Sequence, residues 1–161
     1  MAPLVVMLFG WVGFRILGSV GSLSEASTWT GALRYAMAAM FLFTAMSHFA
    51  ARTRNDLIRM VPPVFPAPGL LVTITGILEF IGAIGLLMPA PLSGLAALGL
   101  SALLIVMFPA NVYAAQKQLT IAGQPTPPLA IRFPMQLFWV GALWWIARYA
   151  APGVTRGGAG L

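Results

Sequence analysis

One long apolar stretch of the chain contains a single acidic side chain close to its centre. Thr73 to Met88 reads TITGILEFIGAIGLLM, and with Leu70 to Val72 added it is long enough for a helix to cross a lipid bilayer. A carboxylate at that depth costs roughly 2.5 kcal/mol or more, so Glu79 should be protonated, paired, or turned toward a polar interior. The remainder of the chain must therefore supply the surroundings of this carboxyl group.

Apolar segments of similar length recur along the chain. Of its 161 residues, 60% are hydrophobic and 7% are charged, whereas soluble domains contain about 25% charged residues. Five windows each approach the roughly 20 residues that a spanning helix needs: residues 4–20, 31–50, 69–88, 92–115 and 133–150. The sequence therefore predicts an all-α fold, a polytopic transmembrane helical bundle that forms one integral membrane domain over residues 1–161.

The two longest connections between these windows are too short for a soluble domain. Residues 51–68 begin with a basic cluster and end in four prolines, and residues 116–132 are polar and also contain prolines. Proline lacks the backbone N–H that a helix interior requires, so both segments are predicted to be loops. The basic cluster is expected to contact lipid headgroups.

Composition also excludes several classes of function. The sequence contains no cysteine, so thiol chemistry, disulfides and thiolate metal sites are excluded. With one histidine and three acidic residues, no metal site is expected. The net charge of +6 comes from basic residues at helix ends and in short loops, so anionic membrane lipids are the expected partner and nucleic acid is not. No Walker, GxGxxG, HExxH or nucleophile-elbow pattern is present, and no catalytic residue can be assigned.

The distribution of basic residues predicts an orientation. With five spans, the loops 51–68 and 116–132 share a side with the N-terminus. That side carries Arg52, Arg54, Arg59, Lys117 and Arg132, and the other side carries Arg34, Arg148 and Arg156. Because Lys and Arg accumulate in cytoplasmic loops, the N-terminus is predicted to lie in the cytoplasm and the C-terminus outside. The outer interface would then be marked by aromatic residues: Trp29, Tyr35, Trp144, Trp145 and Tyr149.

Several polar side chains are predicted to lie at similar depth near the cytoplasmic surface. At about 1.5 Å per residue, four fall within about two turns of it: His48, Thr73, Asn111 and Gln136. His48 either bonds an interfacial carbonyl or lipid phosphate, or binds the carbonyl oxygen of a quinone or another small ligand. Asn111 follows Pro109 and either caps carbonyls freed by a kink or lines a shared polar cavity.

Glu79 and Arg15 are predicted to lie deeper, both roughly 15 to 18 Å from the same surface. Two interpretations of the carboxyl group stay open. It is structural, and then either neutral or paired with Arg15 or Arg34, or it is functional as a proton carrier or ligand-binding group. Arg34 precedes His48 by close to four helical turns, so these two side chains share one face of the second helix. The candidate ligand-binding residues are therefore Glu79, His48, Asn111, Arg34, Arg15 and Gln136.

At these residues the sequence resembles the DoxX-like family of small bacterial membrane proteins. The resemblance covers about Gly31 to Tyr149. It rests on short motifs: Arg34 with Ser47-His48-Phe49, Leu78-Glu79-Phe80 with Gly82 and Gly85-Leu86-Leu87, and Pro109-Ala110-Asn111. It implies a four-helix core in the bacterial inner membrane, here with an extra N-terminal helix. Members of the family include a membrane subunit of a thiosulfate:quinone oxidoreductase and partners of thiol-redox or oxidative-stress enzymes.

The resemblance implies a quinone-linked or redox-associated membrane subunit, with an oxidoreductase as partner and a quinone as possible cofactor. Glu79 and His48 would line its polar intramembrane cavity. Two alternatives stay open. The chain is a non-enzymatic binder or carrier of a lipid or small hydrophobic molecule, or it is a structural subunit of a larger membrane complex in which Glu79 is closed in an ion pair.

Overall fold

Helices make up nearly all of the regular structure in the computed structural model, which describes residues 2–150. Met1 and residues 151–161, among them Arg156, lie outside the described residues. Within the described range the helices are α1 (Ala2–Ser19), α2 (Trp29–Phe49), α3 (Ala51–Met60), α4 (Pro68–Leu87), α5 (Leu92–Gln116) and α6 (Leu129–Tyr149). A short 3-10 helix, Ser24–Ala26, follows α1, and an antiparallel hairpin of β1 (Thr120–Ile121) and β2 (Gln124–Pro125) separates α5 from α6.

In the described part of the chain, four helices are long and apolar enough to cross a membrane: α1, α4, α5 and α6. The all-α helical bundle expected from the sequence is confirmed, and the chain is a multi-pass membrane protein whose apolar helices contact lipid. α2 has 21 residues but is less apolar, because Arg34, His48 and several hydroxyl side chains interrupt it. A fifth span at α2 stays a prediction.

α2 is the most enclosed of the long helices. It packs against α1, α4 and α6, and side chains along its length, such as Ala36 and Phe41, are buried. The other long helices expose more large apolar side chains, with Phe9 of α1 77% exposed and Val106 of α5 73% exposed. Polar residues are tolerated in α2 because protein rather than hydrocarbon surrounds them.

The five long helices alternate in direction, so the bundle has two ends. At the first end α2 begins and α4 finishes, and Arg34 donates a hydrogen bond of 3.0 Å to the Met88 carbonyl. We call this the Trp29 end. At the second, the α3 end, α2 finishes and α4 begins, and His48 Nδ1 lies 2.8 Å from the Val72 carbonyl oxygen.

Glycine allows α4 and α5 to approach closely in the core. A Cβ atom added at Gly82 would lie 2.5 Å from a methyl carbon of Leu100, and one at Gly85 would lie 2.7 Å from the Cβ atom of Ala96. Buried apolar side chains of α2, α5 and α6 fill the remaining interior, together with Met7 of α1. The close approach of small residues is how membrane helices gain packing contacts without a hydrophobic driving force.

The predicted loop over residues 51–68 is wrong in its first half. Residues Ala51–Met60 form α3, and the irregular segment begins only after it, where the prolines lie. Nothing in the first ten residues prevents a helix, and their pattern is amphipathic: Asp56 and Met60 are buried, whereas Arg52 and Arg59 are exposed. The predicted loop over residues 116–132 also differs from the structure. It contains the two strands of the hairpin, and it ends earlier than predicted because α6 begins at Leu129.

Asp56 fastens the hairpin to α3. The Ala122 N–H donates a hydrogen bond of 2.8 Å to Asp56 Oδ2, and the Arg59 guanidinium donates to Oδ1. Ala122 and Gly123 form the tight turn with positive φ angles of 52° and 79°. The backbone hydrogen bond from Ala122, followed by the bond from Arg59, lowers the pKa of the Asp56 carboxyl below its ordinary value.

We expect the hairpin to loosen in acid. The pKa of Asp56 is lower in the folded protein than in the unfolded chain, so the contact is complete above the ordinary value of 3.8 and is lost as the pH falls through the lowered value. Hydrogen exchange in detergent micelles should show the Ala122 amide protected at neutral pH in the unaltered protein and unprotected at the same pH in Asp56→Ala. The control Glu25→Gln, at the other end of the bundle, should keep the protection. Full protection in Asp56→Ala would contradict this contact.

Candidate functional site

Glu79 lies near the middle of α4, with its carboxyl group inside the bundle. The side chain is 4% exposed, whereas the adjacent Leu78 and Phe80 are 46% and 50% exposed. Adjacent positions on a helix point in different directions, so the apolar neighbours face outward while the acid faces other helices. As expected from its cost in hydrocarbon, this carboxyl group avoids the lipid.

The Glu79 carboxyl group faces a histidine rather than an arginine. His48 Nε2 of α2 lies 3.7 Å from Glu79 Oε2, and both residues are buried. This separation is too long for a hydrogen bond, and Glu79 Oε2 has no hydrogen-bond partner among the described residues. The predicted ion pair of Glu79 with Arg15 or Arg34 is not formed.

The backbone of α4 fixes which ring nitrogen of His48 faces Glu79. The Val72 carbonyl oxygen lies 2.8 Å from Nδ1, and because a carbonyl can only accept, Nδ1 carries the hydrogen. The Thr75 hydroxyl oxygen lies 3.3 Å from the same nitrogen and donates its own hydrogen to the Leu71 carbonyl at 2.9 Å. Nε2 is therefore the nitrogen that can gain or lose a proton opposite the carboxyl group.

A glycine of α4 allows the imidazole to reach this position. A Cβ atom added at Gly76 would lie 2.6 Å from the Cβ atom and 2.9 Å from the Cγ atom of His48. Real side chains do not approach so closely, so any other residue would push α2 away from α4. The Thr44 hydroxyl, one turn before His48, lies beside the Glu79 carboxyl and donates to the Phe41 carbonyl at 3.1 Å.

Arg54 of α3 closes the site at the α3 end. Its guanidinium donates to the His48 carbonyl at 2.9 Å and to the Gly69 carbonyl at 3.2 Å. A third bond, 2.9 Å long, reaches the Thr73 hydroxyl. Arg54 thus joins the last turn of α2, whose carbonyls lack helical partners, to the first turn of α4. In the sequence, Arg54 is one member of a basic cluster, and no pattern indicates this role.

The other two arginines predicted for the site lie at the Trp29 end. Arg34 forms an ion pair with Glu25 and a hydrogen bond with the Met88 carbonyl. The Arg15 guanidinium lies 5.3 Å from the ring centroid of Trp29, one turn before the end of α1. Contrary to the prediction, Arg15 and Glu79 are therefore not at the same level of the bundle, because Arg15 lies beside the start of α2 and Glu79 faces its last turns.

Asn111 and Gln136 form no hydrogen bond with Glu79. The Asn111 carboxamide oxygen accepts from the Arg132 guanidinium, which also donates to the Pro127 carbonyl at 2.9 Å. Asn111 thus ties the end of α5 to the start of α6 and does not cap carbonyls freed by a kink. Gln136 is 6% exposed, and its Nε2 has no hydrogen-bond partner among the described residues. Such a buried donor requires an additional partner, such as water or a ligand.

Chemically, the site can hold and exchange a proton. A carboxyl group and an imidazole nitrogen face each other in a buried position, and each can act as donor or acceptor depending on its protonation. In residues 2–150 no group of three or more His, Cys, Asp or Glu side chains could hold a metal ion. The arrangement suits hydrogen bonding to a small polar group.

Residues 37–147 match a sequence family described as Domain of unknown function (DUF8561). The chain belongs to this family. The DUF8561 match covers more than two thirds of the chain, from within α2 to near the end of α6, and includes His48 and Glu79. α1 with Arg15, and Arg34 of α2, precede the matched residues. Comparisons with curated proteins and with solved structures give no significant match.

We expect Gly76→Ala to destabilise the bundle by about 1 to 3 kcal/mol, the usual range for overpacking, because the added methyl group overlaps His48. The control is Gly99→Ala in α5, where an added Cβ atom meets nothing within 4 Å. This variant should be neutral or slightly stabilising. Unfolding of both variants in detergent micelles provides the comparison. Equal stability would contradict the close contact between α2 and α4.

Proposed function

We propose that this chain is a DoxX-like protein of the bacterial inner membrane, serving as a quinone-linked or redox-associated membrane subunit. One observation carries the proposal: Glu79 Oε2 is buried opposite His48 Nε2 and has no hydrogen-bond partner in the described part of the chain. Intramembrane acids are costly and are kept where they do work on protons or ligands. Buried polar atoms are generally hydrogen-bonded, so an acceptor without a partner in the chain calls for a water, an ion or a ligand.

Glu79 and His48 fit the carbonyl oxygen of a quinone headgroup. Glu79 in its protonated form offers an O–H donor, and His48 protonated at Nε2 offers an N–H donor. A quinone bound there would supply two-electron acceptor chemistry, which requires protons as well as electrons. The two side chains would orient the carbonyl oxygen and provide a proton close to it.

The pair can store one proton in either of two places. Neutral His48 carries its hydrogen on Nδ1, so a protonated Glu79 can donate to Nε2 when the two side chains move from their 3.7 Å separation to hydrogen-bond distance. Transfer of that proton to Nε2 gives a carboxylate beside an imidazolium ion. The net charge of the pair is zero in both arrangements, so neither leaves an uncompensated charge in the bundle. This property favours a role in proton exchange over a purely structural role.

The electrons are proposed to come from a partner oxidoreductase subunit. The sequence contains no cysteine, and the described residues contain no cluster of three possible metal ligands. These features support a chain that binds the quinone and handles protons, while another subunit delivers electrons.

A second candidate is a non-enzymatic binder or carrier of a lipid or small hydrophobic molecule. It is favoured by Gln136, whose buried amide nitrogen has no partner in residues 2–150 and could bond an ester or ketone oxygen. The third possibility, a structural subunit with Glu79 closed in an ion pair with arginine, has less support because Arg15 and Arg34 are engaged elsewhere.

The proposed orientation places the α3 end in the cytoplasm. That end carries Arg52, Arg54, Arg59, Lys117 and Arg132. The chain has no cysteine, so Asn55→Cys on the exposed face of α3 provides a single reporter. We expect a membrane-impermeant thiol reagent to label this variant in inverted vesicles and not in intact cells. Labelling in intact cells would show that the α3 end faces outward, the opposite of the proposed orientation.

We expect the protein purified in a mild detergent to retain a quinone, detectable by mass spectrometry after lipid extraction. Glu79→Leu removes both the proton and the hydrogen bond, so it should lower the retained amount about tenfold, equivalent to about 1.4 kcal/mol. Glu79→Gln keeps a donor and should lose less. Glu25→Leu, at the opposite end, is the control and should retain the quinone. Absence of quinone from the unaltered protein, or equal retention in Glu79→Leu, would contradict the proposal. A different hydrophobic ligand lost in Glu79→Leu would favour the second candidate.

A further inference from the structure

A groove lies on the outside of the bundle between α5 and α6, toward the Trp29 end. It is shallow and open to its surroundings, with a volume of about 540 Å³. It is lined by Leu98, Gly141, Trp144, Trp145, Ala147 and Arg148. We propose that this groove binds one anionic phospholipid, with the phosphate on Arg148 and an acyl chain along the apolar walls. This inference does not depend on the proposed function of Glu79 and His48.

Two tryptophans form walls of the groove, and each is held in place by a hydrogen bond to a neighbouring helix. Trp144 Nε1 donates to the Ser101 hydroxyl at 2.9 Å, and Trp145 Nε1 donates to the Thr30 hydroxyl at 3.1 Å. Because both indole N–H groups are already bonded, the exposed parts of these rings are carbon surface. Fixed apolar walls at the membrane interface fit an acyl chain and the start of its headgroup.

Gly141 leaves the groove open one helical turn before the tryptophans, on the side away from the Trp29 end. A Cβ atom added there would meet no atom within 4 Å, although Gly141 lies only one turn before Trp144. Elsewhere the same two helices are in contact: a Cβ atom added at Gly94 of α5 would lie 3.5 Å from the carbonyl oxygen of Ala147 in α6. The space at Gly141 is therefore a local gap between α5 and α6, on the groove wall that also carries Leu98.

Arg148 supplies a positive charge that the chain does not neutralise within residues 2–150. It is exposed in the last turn of α6. The three acidic side chains of the chain lie elsewhere: Glu25 beside Arg34, Asp56 beside Arg59, and Glu79 in the interior. A phosphate at the membrane surface is the anion that an interfacial arginine most readily meets. A zwitterionic lipid such as phosphatidylcholine carries a cation in its headgroup, which Arg148 would repel, whereas an anionic lipid does not.

The test is native mass spectrometry of the full chain in detergent, titrated with phosphatidylglycerol and, separately, with phosphatidylcholine. We expect the unaltered protein to retain one phosphatidylglycerol about fivefold more strongly than one phosphatidylcholine. Arg148→Gln removes the charge and Gly141→Leu fills the gap, and each should lower the fraction with one phosphatidylglycerol about fivefold.

Two matched variants serve as controls. Arg52→Gln removes an exposed arginine at the α3 end, and Gly13→Leu fills open space on α1, where an added Cβ atom also meets nothing within 4 Å. Both should retain phosphatidylglycerol as the unaltered protein does. Equal retention of the two lipids, or equal loss in Arg52→Gln and Arg148→Gln, would overturn the proposal. Arg148→Gln is an exposed substitution, so it keeps the test valid if Gly141→Leu fails to fold.

Discussion

The contact of α2 with α4 at Gly76 is the interaction on which the interior of this bundle depends. It brings His48 so close to α4 that the Val72 carbonyl accepts a hydrogen bond from Nδ1–H. This bond turns Nε2 toward Glu79. Arg54 then fixes the ends of the two helices relative to each other. The position of the Glu79–His48 pair is therefore set by backbone groups, whose hydrogen-bonding capacity does not depend on the protonation of the pair.

The helical bundle and the inward position of Glu79 could be predicted from the sequence because the bilayer imposes both. The hydrocarbon of the bilayer requires long apolar helices, and it excludes a carboxylate from the surface of a helix that faces the lipid. The partner of Glu79 could not be predicted in the same way. Counting residues gives depth along a helix but not which neighbour each face meets. The sequence analysis therefore considered Arg15 and Arg34, whereas packing places both at the Trp29 end.

The elements that the sequence analysis missed are short and lie outside the apolar windows. In α3 the buried positions, including Asp56 and Met60, recur at helical spacing, but the prolines that follow dominate the composition of the segment. Each strand of the hairpin has two residues, too few to carry a recognisable alternation. Arg54 was overlooked as a site residue because its role depends on backbone carbonyls of other segments, and Thr75 because its contact is with His48 on another helix. No side-chain pattern reveals either contact.

The enclosed position of α2 has a consequence for how the chain enters the membrane during synthesis. A segment of modest hydropathy partitions poorly from the translocon by itself, and it inserts more readily beside an apolar neighbour. α1 precedes α2 by only residues 20–28 and packs along it, so the two are suited to enter together as a helical hairpin. Because His48 precedes Glu79 in the chain, this order of entry would bring the histidine into the membrane ahead of the acid.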